Sequence, residues 1–124
     1  MRDHTKLKAF RFADDLAVAV YAARSSSFPK SEQFGLTAQL RRAAVSVTSS
    51  VVEGCARQSQ ADYLWFLDMA YGSAREVDYQ LSLARRLGYL NEEAYESLRQ
   101  ASVETSKVLS GLIRSFRAPN GPGA

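Results

Sequence analysis

Tyr63, Leu67, Ala70, Ala74, Val77, Leu81, Ala84 and Gly88 recur at alternating steps of four and three residues. An α-helix turns about 100° per residue, so this spacing holds one apolar stripe on a single side of a helix about seven turns long. Such a stripe must be covered by partner helices, as in a coiled coil or bundle. Four of its positions (Ala70, Ala74, Ala84, Gly88) are small, so the partners can approach closely.

The chain has 124 residues, which suits one domain with a real core. Apolar residues make up 46% and charged residues 23%, the balance of a folded soluble protein and not of a disordered one. A net charge of +3 permits contact with nucleic acid but does not require it. Cys55 is the single cysteine and His4 the single histidine. An intramolecular disulfide is therefore impossible, and one chain cannot assemble a Cys/His zinc site. No metal or other cofactor is expected. Met1-Arg2-Asp3-His4-Thr5-Lys6 lacks the apolar core of a signal peptide, and the longest apolar run, Leu16 to Ala23, is far too short to cross a bilayer. The expectation is a cytoplasmic protein without a membrane partner.

Four helices are predicted within one domain over residues 1–118. The first, 7–24, carries Phe12, Leu16, Ala19 and Ala23 inward, widened by Ala13 and Val20. Ser25-Ser26-Ser27-Phe28-Pro29 breaks it, because serines bond locally and proline cannot continue a helix. The second, 32–54, is capped by Ser31 and stopped by Gly54. It carries two apolar stripes, Leu36, Leu40, Ala43, Val47, Val51 and Ala38, Val45, Val52, so it should be covered from more than one side. The third, 60–87, starts at a capping-box-like Ser59 and Asp62 and ends at a left-handed Gly88. The fourth, 92–117, is capped by Asn91 and directs Ala94, Leu98, Ala101, Thr105, Val108, Leu112 and Phe116 inward. Residues 119–124 should be a disordered tail. Short links between long amphipathic helices give an all-α, antiparallel, up-down-up-down four-helix bundle. Gly72, in mid-helix, implies a close helix contact or a subunit contact at its level.

Antiparallel connectivity matches residues by height. Arg41 and Arg42 then lie near Asp14 and Asp15, with Glu76 about one turn away, which predicts a mid-bundle ionic layer. Two arginines facing carboxylates resemble an acid/base site, but no histidine, metal set or cleft accompanies them, so the expected role is structural. The same matching gathers the start of the first helix, the second link and the end of the fourth helix. Lys6, Lys8, Arg11, Arg57, Arg114 and Arg117 meet there, a candidate phosphate-binding surface. Phosphate-cradling glycine loops, Cys-x-x-Cys pairs, di-iron motifs and nucleophile–histidine pairs are absent from the sequence, so no catalytic residues are assigned. Cys55 lacks a base beside it. Trp65 lies off the inward stripe, where it can stack a base or pack in an interface.

Gly35-Leu36-Thr37-Ala38-Gln39-Leu40-Arg41-Arg42-Ala43-Ala44-Val45-Ser46-Val47, followed by Val51-Val52-Glu53-Gly54, Arg57 and Ser59, resembles the second-helix signature of the four-helix-bundle proteins related to the 23S rRNA intervening-sequence protein. Phe66 to Glu76 is similar to that family's third helix, Leu87-Gly88-Tyr89-Leu90 to its closing turn, and Phe28-Pro29 to its first loop. The resemblance implies an antiparallel bundle assembling as a homopentamer. It also implies kinship with the accessory variability protein of diversity-generating retroelements, which binds nucleic acid through a basic surface beside a reverse transcriptase. One departure is Ser50 in Ser50-Val51-Val52-Glu53-Gly54, where the family often has asparagine.

Together these readings predict a non-enzymatic, oligomeric bundle that binds RNA, DNA or a ribonucleoprotein partner such as a reverse-transcriptase-like protein through a basic surface. The alternative is a protein-interaction scaffold with no nucleic-acid role.

Overall fold

The computed structural model describes residues 2–23 and 28–118. Four α-helices dominate it: α1, Lys8–Ala23; α2, Leu36–Cys55; α3, Gln60–Arg86; and α4, Glu92–Arg117. No strand occurs among the described residues. Short 3-10 turns, His4–Lys6 and Lys30–Glu32, precede α1 and α2.

Local chemistry fixes most of the helix ends. The Ser59 hydroxyl accepts the Asp62 N–H at 3.1 Å and opens α3. The Asn91 side chain accepts the Ala94 N–H at 2.7 Å and opens α4, with Glu92 and Glu93 in the favourable first turn. Gly88, at φ +80, supplies the left-handed residue after α3, and the Tyr89 N–H reaches back to the Ala84 carbonyl.

Each helix packs on two neighbours: α1 on α2, α2 on α3, α3 on α4, and α4 back on α1. The contacts run in opposite senses along each pair. The Arg2 N–H donates to the Cys55 carbonyl, whereas Arg41, early in α2, stacks on Tyr21, late in α1. Ser46 bonds Ser73 near mid-bundle, while Gly54 abuts Tyr63 and Phe66 at the end. Tyr63 meets Phe116, and Arg85 meets Glu92. Neighbouring helices are thus antiparallel. The α3 stripe from Tyr63 to Ala84 is buried throughout and forms the centre of the core with Leu16, Val47, Val51 and Leu109.

Four details depart from the sequence reading. The second helix begins at Leu36 and not at 32, and Ser31 sits inside a 3-10 turn without capping it. Glu32 opens α2 instead: its carboxylate accepts the Leu36 N–H at 3.0 Å and the Tyr89 hydroxyl at 2.9 Å. Gly54 does not stop α2, which runs to Cys55; a Cβ there would lie 2.9 Å from the Phe66 Cβ, so glycine permits the close entry of α3. On α4 the buried row is Tyr95, Leu98, Ser102, Thr105, Ser106, Leu109 and Ile113, while Ala94, Ala101, Val108, Leu112 and Phe116 form a half-buried flank. Small serines let α4 sit close, so the true inward face is partly polar. Likewise α1 buries Ala9, Ala13, Leu16 and Val20, with Phe12, Ala19 and Ala23 beside them. The Ser25-Ser26-Ser27 break and the 119–124 tail lie outside the described residues.

A Cβ at Gly72 would meet nothing within 4 Å, so no contact inside the chain explains that glycine. Gly72→Ala is therefore expected to stabilise the bundle by about 1 kcal/mol. Gly54→Ala is expected to destabilise it by about 1–3 kcal/mol through overpacking. Urea unfolding at low protein concentration measures both.

Hydrogen bonds from the Leu36 N–H and the Tyr89 hydroxyl hold the Glu32 carboxyl below its ordinary value near 4.5. A depressed carboxylate stabilises the fold above its unfolded value and loses that contribution as pH falls through the folded one. Glu32→Gln should accordingly lower the unfolding midpoint at neutral pH. The gap between variant and wild type should close as pH drops below about 4.5.

Candidate nucleic-acid interface

The bundle end where α1 starts, α2 joins α3, and α4 finishes is held together around Arg2. Its backbone N–H donates to the Cys55 carbonyl at 2.8 Å. Its guanidinium lies 3.8 Å from the Tyr63 ring centroid and 5.9 Å from that of Phe116. This stack ties the segment before α1 to α3 and α4. Arg57 lies over Phe66 at 4.7 Å, and Lys8 over Phe12 at 5.6 Å. In each pair the charged group itself lies over the ring face.

All six predicted phosphate ligands occur at this end, and all six are exposed. They ring it; they do not form one patch. Lys6, Lys8 and Arg11 belong to the α1 corner, Arg57 to the α2–α3 link, and Arg114 and Arg117 to the α3–α4 corner. The α1 and α3 corners are diagonal, since those helices do not pack together. Arg117 is also less available than the sequence suggests, because it bonds Asp68 on α3 at 2.5 Å. Lys6, Lys8, Arg11, Arg57 and Arg114 have no ion-pair partner among the described residues.

Two adjoining hollows between α3 and α4 share Tyr71, Ser110 and Arg114. One, about 250 Å³, adds Asp68, Ile113 and Arg117; the other, about 370 Å³, adds Arg75, Val103, Ser106 and Lys107. The groove therefore carries cations from Arg117 to Lys107 and a half-buried tyrosine ring. Lys107, Arg75 and Tyr71 were not picked out as phosphate ligands from the sequence. For Lys107 a signal lies in the spacing Lys107, Ser110, Arg114, Arg117, which keeps one side of α4 cationic or small.

The predicted mid-bundle ionic layer is not formed. No ion pair joins Asp14, Asp15, Arg41, Arg42 and Glu76, and among the described residues the ion pairs are Arg75–Asp78, Arg85–Glu92 and Arg117–Asp68. Late entry into α2 accounts for part of the difference. Arg41 stands opposite Tyr21, at 4.9 Å from its ring centroid, roughly two turns from Asp14. Asp14 instead borders an apolar hollow with Ala17, Val45 and Val52, and Glu76 accepts a 3.5 Å bond from the Gln80 amide. Asp15 and Arg42 are exposed.

Cys55 is 1% exposed, and burial raises its thiol pKa against the opposing Arg2 charge, the surroundings of an inert buried thiol. Among the described residues no group of three or more His, Cys, Asp and Glu side chains is placed to hold a metal ion, and no helix is long and apolar enough to cross a membrane.

A family model described as 23S rRNA-intervening sequence protein matches residues 5–111. The crystal structure of a protein of unknown function from the S23 ribosomal protein family of Bacteroides thetaiotaomicron superposes with a TM-score of 0.79 at 27% identity, covering 86% of this chain and 95% of that one. No curated protein matches the sequence.

Proposed function

We propose that this chain, which belongs to the 23S rRNA-intervening sequence protein family, is a non-enzymatic cytoplasmic protein that binds the phosphate backbone of RNA or DNA through its cationic end. The supporting observation is the ring of exposed, unpaired cations (Lys6, Lys8, Arg11, Arg57, Arg114) where the three chain segments meet. Lys107 extends that ring into the α3–α4 groove. Point charges spread around one end suit a repeating polyanion, because each phosphate neutralised releases a counterion and no base need be read. Tyr71 in the groove offers a ring on which an unpaired base can stack, which favours single-stranded segments.

A single copy supplies only a modest field. Self-association would multiply it, and the family resemblance implies a homopentamer. The outer side of α3 favours assembly: Trp65 is 59% exposed and Tyr79 60%, with Met69 and the contact-free Gly72 between them. Val18 and Val45 add exposed apolar surface on α1 and α2. The same surface is what favours the alternative, a scaffold for another protein with no nucleic-acid role.

Reversing Arg11, Arg57 and Arg114 to glutamate should cut affinity for a single-stranded oligonucleotide by at least about tenfold. It should also flatten the plot of log affinity against log salt by up to about 0.7 per lost phosphate contact. An unchanged slope, with binding to a protein partner that survives nuclease, selects the scaffold. For assembly, light scattering should give a multiple of 13.7 kDa that Trp65→Lys with Tyr79→Lys reduces. A 13.7 kDa particle at high concentration rejects it.

A further inference from the structure

We propose that the pocket between the α1–α2 connection and the first turns of α2 binds a small phosphate monoester, with Arg41 and Lys30 holding the phosphate. The pocket has a volume of about 310 Å³ and is lined by Phe28, Pro29, Lys30, Gln33, Thr37 and Arg41. Among the described residues that line it are two cations, an amide and a hydroxyl, and no carboxylate. Glu32, the nearest acid in the sequence, is already engaged, one oxygen with the Leu36 N–H and the other with the Tyr89 hydroxyl.

Arg41 carries the argument. It is half-buried, its guanidinium rests on the Tyr21 ring, and its Nε is shut off from solvent with no hydrogen-bond partner. Among the described residues it has no ion pair. A cation drawn partly out of water without a counter-charge is costly, and a bound anion offsets that cost. The planar guanidinium fork suits two phosphate oxygens, and exposed Lys30 adds a second charge. Thr37 and Gln33 supply neutral donors. Phe28, steadied against Tyr89 at 5.5 Å, and Pro29 form an apolar wall for a ring attached to the phosphate. The volume lies near the small end of ligand pockets, about 300–1,000 Å³, so a mononucleotide-sized molecule fits better than a strand. The site stands at the opposite end of the bundle from the cations of the proposed nucleic-acid surface and does not depend on that reading.

Adenosine 5′-monophosphate titrated into the full chain, followed by amide NMR, tests the assignment. Saturable shifts at Lys30, Gln33, Thr37 and Arg41 are expected, with adenosine at least about tenfold weaker because it lacks the charged partner. Arg41→Gln should weaken binding by about tenfold or more, and Lys30→Ala severalfold without moving the thermal midpoint, since Lys30 is exposed and unpaired. If Arg41→Gln fails to fold, Lys30→Ala and Lys30→Glu decide the matter. Reversal of Arg11, Arg57 and Arg114 should leave adenosine monophosphate binding unchanged, which separates this site from the nucleic-acid surface. Competition by a 5′-phosphorylated tetranucleotide assigns the phosphate to a strand end, and its failure to compete assigns a free small molecule. Absence of saturation, equal binding of adenosine, or shifts confined to the Arg57 and Arg114 end overturns the proposal.

Discussion

Close approach of α2 and α3 is the constraint on which the rest of the bundle depends. Gly54 leaves room for the Phe66 Cβ and the Tyr63 ring at one end, and Ser46 and Ser73 share a 3.0 Å hydrogen bond in the middle. Ala43, Ala44, Ala70 and Ala74 are buried along the α2 and α3 faces. Small side chains bring the helix axes together, and dispersion contacts then accumulate over many atom pairs. That proximity also positions Tyr63 and Phe66 as platforms for Arg2 and Arg57. The cationic end is therefore a consequence of core packing and not an addition to it.

The two ends use aromatic rings for different purposes. Beside Cys55, the rings of Tyr63 and Phe116 carry Arg2 and fasten the segment preceding α1. At the other end, Phe28 leans on Tyr89, and the Tyr89 hydroxyl meets Glu32, so residues 28–32 are fastened to the α3–α4 turn. Arg41 is a half-buried cation on Tyr21 with a buried, unbonded Nε and no ion pair among the described residues. Groups with unmet electrostatic need are the natural places to look for ligands. By the same logic Arg85, paired with Glu92 at 2.6 Å, and Arg117, paired with Asp68, are poorer candidates.

Polar burial in α4 shows what a hydrophobicity pattern misses. Ser102 is fully buried, and Thr105 is buried with its hydroxyl on the Ala101 and Phe12 carbonyls. A reading that follows only apolar residues rotates the helix toward Ala101, Val108 and Leu112, the flank that packs half-buried on the core. On α3 the pattern succeeds because its inward positions, Gln80 apart, are apolar and its outward ones include Glu76 and Arg75. The family resemblance rests on α2, α3, the first loop and the turn after α3, and the match over residues 5–111 agrees with it.

The amino-acid order by itself determined four helices, their caps at Ser59, Asn91 and Gly88, the buried α3 stripe and the gathering of cations at one end. The helices, caps and stripe follow from local periodicity and short-range hydrogen bonding, and the gathering of cations from short links that turn neighbouring helices antiparallel. Only the folded chain decided that Arg41 faces Tyr21 and not Asp14, that Asp68 claims Arg117, and that Lys107 shares a groove with Tyr71. Those outcomes depend on helix register and rotation. A delay of four residues at the start of α2 moves every later side chain by about one turn, and no local pattern records that offset.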